Sequence, residues 1–311
     1  MHTLISSVIP IFVIIAIGYM IRRFNIIKTQ GVNALISYVY YVALPALIIH
    51  SLVVLELNNS SIAHILFWNS VVLLVNAVLC LTVVYAFRLS NKDRAVFFLA
   101  ATVGNSLYLG IPLTTNALGL TAGTANYALI VMIGVLYLVE SIFIALVVNE
   151  FLFVGHKKFG SVASQLAKNP LIIAIFVGLL LAYIPLPEIA NTITTKPLSM
   201  IAASASPVAL FILGNYLYGH KIKQHLIMVS SAVAWKIIVV PLLTWGILIV
   251  SGMNNPAYSA SILYAGTPTA VTALMIAKVY GFNTRFVSGV IVFSTILSLL
   301  TASIMIILLG L

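Results

Sequence analysis

Two short stretches of an otherwise apolar chain carry groups suited to holding an anion. The first is "VGNSLYLGIPL", Val103 to Leu113, with Gly104, Asn105, Ser106, Gly110 and Pro112; the second is "YAGTPTAVTALM", with Gly266, Thr267, Pro268 and Thr269. Proline lacks an N–H and clashes with the carbonyl four residues back, and glycine costs helix entropy, so neither stretch is expected to wind continuously. Unwound backbone in hydrocarbon leaves polar groups unpaired at several kcal/mol each, unless protein or a cavity supplies partners. A broken helix also presents a half-helix N-terminus, with a partial positive charge and free N–H groups, which favours an anion. The Asn105 amide adds two donors and an acceptor. Asn105, Ser106, Gly110, Pro112, Gly266, Thr267, Pro268 and Thr269 make the candidate substrate-binding set.

Two charged side chains fall near the middle of apolar runs: Glu140 in "VLYLVESIFIAL" and Lys236 in "AVAWKIIVVP". Charges at such depth are costly and are functional hypotheses by default. Lys236 stands 160 residues after Asn76, so both halves of the chain place a polar group at a matching position. On one reading Lys236 balances a substrate anion or substitutes for a coupling cation, while Glu140 takes a proton or sodium. On the other, the two pair and only hold helices together. The broken stretches hold no carboxylate, which argues against a sodium site there. His50 is expected at the membrane interface, and the single Cys80, in an apolar run, behaves as a small buried hydrophobe with no disulfide partner. There is no H-E-x-x-H, and "GNSLY" departs from G-x-S-x-G, so neither an enzyme nor a metal or other cofactor is expected.

The elements that position these groups must be membrane helices. Of 311 residues, 62% are hydrophobic and 6% are charged, against roughly 25% charged in a soluble domain. The net charge of +10 comes from cations scattered singly or in small groups, unlike a nucleic-acid-binding face. Apolar windows of spanning length run at about 4–22, 33–54, 64–87, 95–118, 126–153, 170–186, 198–218, 226–250, 257–280 and 287–310. The positive-inside rule tests that count. Arg22, Arg23, Lys28, Arg88, Lys92, Arg94, Lys157, Lys158, Lys168, Lys221, Lys223, Lys278 and Arg285 all fall in alternate loops, whereas the opposite loops carry only Lys196. Both termini are therefore expected outside the cell membrane, with the first apolar segment retained, because its arginines follow it instead of preceding it.

The halves echo one another. Pro10 and Pro170 open the first and sixth segments, Pro45 and Pro207 lie in the second and seventh, and Pro112 and Pro268 lie in the fourth and ninth. Five segments per half is an odd number, so a duplication would have inverted topology. Residues 1–154 and 170–311 are expected as inverted five-helix repeats joined by a short cytoplasmic loop, 155–169. Inverted repeats with broken helices are a signature of secondary transporters, with substrate near the midplane.

With "IPIFVIIAIGYMIRRFNII", "ISYVYYVALPALIIHSL", "GNSLYLGIPL", "ALFILGNYLYG", "KIIVVPLLTW" and "IVFSTILSLLT" in view, the chain resembles the auxin efflux carrier family, which includes plant PIN carriers and bacterial malate and malonate permeases. The resemblance implies an all-α fold of ten helices like that of bile-acid and sodium/proton transporters. Helices 1, 2, 6 and 7 would be a scaffold for a moving domain of helices 3–5 and 8–10, in an elevator mechanism. A small carboxylate would ride at the crossing of helices 4 and 9, and Asn105 falls where plant carriers place an asparagine. The second crossing segment has no amide, and the linker "GHKKFGSVASQLAKN" is too short for the regulatory loop of plant members. The expected partners are a small organic anion, the lipid bilayer, a proton or sodium, and a second copy of the chain as a homodimer. A cation/proton antiporter or a sodium-coupled symporter is the alternative.

Overall fold

The computed structural model describes residues 2–54, 60–87, 89–120, 124–154, 164, 167–168, 170–183, 188–218, 226–253 and 256–311. The expected loop 155–169 lies largely outside them, as do Arg88, Lys157, Lys158, Lys221 and Lys223. The described chain is helical apart from turns, with one isolated bridge between two extended residues. Among the described residues, six helices are long and apolar enough to cross a membrane by length and composition; Ile172–Ala182 is a shorter apolar helix. The windows at 95–118 and 257–280 are each divided by a break, so neither forms a single helix of spanning length.

Helix α1 (His2–Arg23) ends on Arg22 and Arg23, whose charges suit a helix C-terminus. Asn25 follows with φ 55°, a left-handed value that asparagine tolerates. The next helix is built from α2 (Thr29–Tyr38), a π segment π1 (Val39–Ala43) and α3 (Leu44–Val54). Then come α4 (Ser60–Ala86), α5 (Asn91–Thr102), π2 (Ser106–Gly110), α6 (Ile111–Ala117) and α7 (Ala125–Val148), which runs into π3 (Asn149–Val154). Ser90 caps α5 by accepting the Asp93 N–H, and Thr124 caps α7 by accepting that of Tyr127. The second half comprises α8 (Pro170–Tyr183), α9 (Glu188–Leu217), α10 (Leu226–Ala234), π4 (Trp235–Val239), α11 (Val240–Ile249), α12 (Ala257–Ala265), α13 (Val271–Val279) and α14 (Thr284–Leu308).

Three of the four π segments, π1, π2 and π4, have a sequence cause. Pro45, Pro112 and Pro241 each stand two residues after one. A proline cannot donate to the carbonyl four residues back and its ring crowds that carbonyl. The turn before it widens, so that Leu44 N–H reaches Val39 O, Ile111 N–H reaches Ser106 O and Val240 N–H reaches Trp235 O. Such widened turns keep the helix going and often mark functional sites. Pro197 and Pro207 sit inside α9 without ending it.

Two packing groups emerge. In the first, α1 crosses α9, and α3 lies against both α8 and α9. The α1–α9 crossing is backbone on backbone: a Cβ on Gly18 would run into the Phe211 carbonyl, and one on Gly214 into the Ile15 carbonyl. Small residues permit that approach in membranes, where helix association relies on close packing. The second group gathers α4, α5, α7 and α10 to α14, and meets the first where α6 touches α1, α7 touches α3 and π2 touches α9. Ile9, Val13 and Ile17 of α1 and Phe176 and Leu180 of α8 stay exposed. Such apolar outer faces suit hydrocarbon and not water.

Candidate functional site

The first break begins at Val103, which is extended (φ −86°, ψ 103°), and ends at Asn105 (φ −83°, ψ 51°), from which π2 restarts the helix. This corrects the expectation that Gly110 and Pro112 help to break the chain. Pro112 lies in the first turn of α6, and the widened π2 turn absorbs its missing N–H, so winding continues through both residues. The second break does fall on Gly266 to Thr269, between α12 and α13.

The two breaks satisfy each other. Gly104 and Thr269 form an antiparallel bridge, in which Asn105 N–H donates to Pro268 O (2.7 Å) and Ala270 N–H donates to Val103 O (2.9 Å). Backbone that could not be left bare in hydrocarbon therefore finds partners in the opposite strand. Proline suits the second break because it has no N–H to satisfy, while its carbonyl is used. Thr269 Oγ1 donates to Ala100 O (2.6 Å), Thr269 N–H donates to Ser294 Oγ (3.2 Å), and Thr267 Oγ1 donates to Tyr264 O (2.7 Å). Ser106 Oγ donates to Gly134 O (2.7 Å), which ties π2 to α7. Gly110 and Gly134 leave room for the Tyr264 ring, whose hydroxyl donates to Ile130 O (2.7 Å). Ser294, Gly134 and Tyr264 were not singled out from sequence, although a glycine in the middle of the apolar α7 is a signal of close approach.

Lys236 lies at the crossing. Its side chain is fully buried and its Nζ donates to Ala265 O (2.7 Å), the last residue of α12. A cation at a helix C-terminus complements the macrodipole, and an ammonium keeps two more donors for other partners. The same Nζ would stand 2.9 Å from a Cβ placed on Gly104, so the glycine makes space for it. Glu140, half-buried on α7, accepts instead from Ser70 Oγ of α4 (3.2 Å). The two charges hold different partners. Asn76 accepts from Trp235 Nε1 (3.0 Å), next to Lys236, and its Nδ2 has no partner among the described residues.

Asn105 is 1% exposed, and its Nδ2 also has no partner among the described residues. Thr272 Oγ1, in the first turn of α13, is in the same position. A small cleft opens beside the crossing, lined by Ile36, Val39, Tyr108, Ala209, Ile212 and Val271, so its walls come from α2, π1 and α9 on one side and from π2 and α13 on the other. The site thus brings together Asn105, Gly104, Thr267 to Thr269 and Lys236, leaves Glu140 with Ser70, and uses Ser106 to fasten π2.

A family model described as "Membrane transport protein" matches residues 3–155 and 155–306. Among curated proteins, the chain is 25% identical to one of Rhizobium meliloti with the printed name "Putative malonate transporter", over 97% of this chain and 95% of that one. It is 24% identical to an "Uncharacterized transporter" of Methanothermobacter thermautotrophicus, over 95% of each chain.

Proposed function

The chain belongs to the membrane transport protein family, as a multi-pass transporter and not an enzyme, and from that premise we propose that it carries a small organic anion, a carboxylate, by alternating access. The carrying observation is the crossing itself: two broken helices bonded backbone to backbone, with the Lys236 ammonium buried beside Gly104 and an Asn105 amide nitrogen that has no partner among the described residues. In this reading Lys236 supplies the positive charge, or takes the place of a coupling cation, and Asn105 donates to the carboxylate. The printed name of the Rhizobium relative supports a carboxylate.

We read the chain as ten spans in two inverted repeats, 1–154 and 170–311, in the cell membrane with both termini outside. The paired breaks, the matched prolines and the alternation of loop charge support this. Helices α1, α2–α3, α8 and α9 form the scaffold, and the remainder moves as an elevator. Cysteines placed at Ser161 and Asn254, in a background lacking Cys80, should label from the cytoplasm and the outside respectively; labelling of both from one side overturns the topology. Saturable uptake of carboxylate by liposomes holding the purified protein tests the carrier reading, and unsaturable current would contradict it.

Ion coupling has its own support. Glu140 is held by Ser70 and not by Lys236, which leaves it able to bind a proton or sodium. Glu140→Gln should then abolish the pH or sodium dependence of uptake in folded protein. Unchanged dependence would make Glu140 a structural group.

A further inference from the structure

We propose that Glu140 is a proton-binding site that opens to the hydrocarbon side of the seam between α4 and α7. This rests on the ion-coupling reading above and goes on to name the ion and the side from which the group is reached. Glu140 lies near the middle of the apolar span Leu129–Phe153, and Ser70, whose Oγ donates to its carboxyl (3.2 Å), lies in the span Ala63–Ala86. Both residues are half-buried. Residues three and four apart share a helix face, and the neighbours on these faces, Phe67 and Leu74 around Ser70 and Phe143 after Glu140, are exposed. The pair therefore sits at the edge of the apolar outer face, at a depth that meets hydrocarbon.

The surroundings suit a proton and not sodium. A hard cation takes several oxygen ligands, and sodium sites in transporters draw them from unwound backbone and half-helix C-terminal ends. Here α4 and α7 run unbroken through Ser70 and Glu140, so their carbonyls are engaged along each helix. Tyr137, one turn earlier on α7, is the titratable group whose charge would feel that of Glu140, and its buried hydroxyl has no partner among the described residues. On the helices packed against α7, His50, His64, Lys92, Asp93 and Arg94 stand near helix ends, and Tyr264 donates to Ile130 O. Lys236 is bonded to Ala265 O. A bare carboxylate presents about four acceptor sites, which one or two hydroxyls leave mostly unmet, and a charge facing hydrocarbon is costly. One proton removes that charge and needs no further ligand.

The test is reaction of the unaltered full-length protein, in liposomes, with dicyclohexylcarbodiimide, a reagent that partitions into hydrocarbon. A protonated carboxyl gives its proton to one carbodiimide nitrogen while its oxygen bonds to the central carbon. The acyl carbon then leaves that oxygen for the other nitrogen; no atom is lost, so the peptide gains the mass of the whole reagent. At neutral pH the adduct should appear on Glu140 and not on Asp93, at the polar start of α5, as read by peptide mass spectrometry. As pH is raised, labelling should fall by about tenfold per unit once the proton has left. Sodium in place of choline at equal ionic strength should not slow it. Slower labelling in sodium, or no adduct on Glu140 at any pH, overturns the inference; the ion-coupling reading survives that failure if Glu140→Gln abolishes sodium-dependent uptake. Labelling as expected, with pH-dependent uptake left unchanged by Glu140→Gln, leaves the proton site standing and removes the coupling reading.

Discussion

The two breaks at the crossing are built differently. In the second, every side chain with a hydroxyl is spent on the fold: Thr267 on Tyr264 O and Thr269 on Ala100 O. Ser294 takes the Thr269 N–H, and Lys236 caps the end of α12. In the first, Ser106 is spent on Gly134 O, but the buried Asn105 amide nitrogen has no partner among the described residues. Leaving a buried donor unmade costs about 1–3 kcal/mol, and in the proposed function the substrate carboxylate supplies the partner. The difference teaches that sequence symmetry between halves does not imply equal roles. The second break clamps the fold; in the proposed function the first recognises the anion.

The largest effect should come where the two roles meet. Lys236→Met keeps the bulk but removes the charge and leaves Ala265 O unpaired, so uptake should fall to background while the protein still inserts, as read by liposome flux at matched protein. Normal uptake would mean that the anion does not use the crossing. Asn105→Ala should weaken half-saturation by about one to two orders of magnitude, the loss of a hydrogen bond to a charged group at roughly 1.5–3 kcal/mol and ~1.4 kcal/mol per decade, with no loss of thermal stability. Thr269→Val should do the reverse: it leaves Ala100 O without its donor, lowers stability by about 1–3 kcal/mol and changes half-saturation little. If Asn105→Ala loses stability and Thr269→Val loses affinity, the division of labour between the breaks is wrong. The smallest effect is expected for Pro112→Ala, which only allows π2 to tighten, because the interruption lies upstream of it; uptake should change by no more than a few-fold.

Much of this was legible in the chain. The apolar windows located the helical segments, and Gly266 to Thr269 located the second break. The "GNSLYLGIP" and "ALPALI" stretches pointed to the family that the comparisons establish. The first break was expected too broadly, because proline was read as a breaker when an X-Pro step can instead be absorbed by one widened turn, as at Pro45, Pro112 and Pro241. The destination of Lys236 was not legible. Whether it meets Glu140 or Ala265 O depends on which faces of π4, α7 and α12 are turned together, and the apolar sequence around each has no polar face to indicate that rotation. The partner of the Asn105 backbone lies 163 positions away at Pro268, and no local pattern encodes such a contact.

A widened turn is also a counting device. It accommodates an extra residue without ending the helix, whereas the α-helix advances about 100° per residue. Adding one residue to the regular turns beside π4, such as an alanine between Val233 and Ala234, would meet no wide turn to absorb it and would swing the rest of α10 about 100° around the axis relative to α11. Val229, Ala232 and Val233, now buried, would be turned away from their contacts. The hydropathy of the segment would scarcely change, so the membrane-insertion machinery would treat the insertion variant as unaltered. In this helix the angular phase on which the crossing depends is therefore set by residue number, independently of the oiliness that puts the helix into the bilayer.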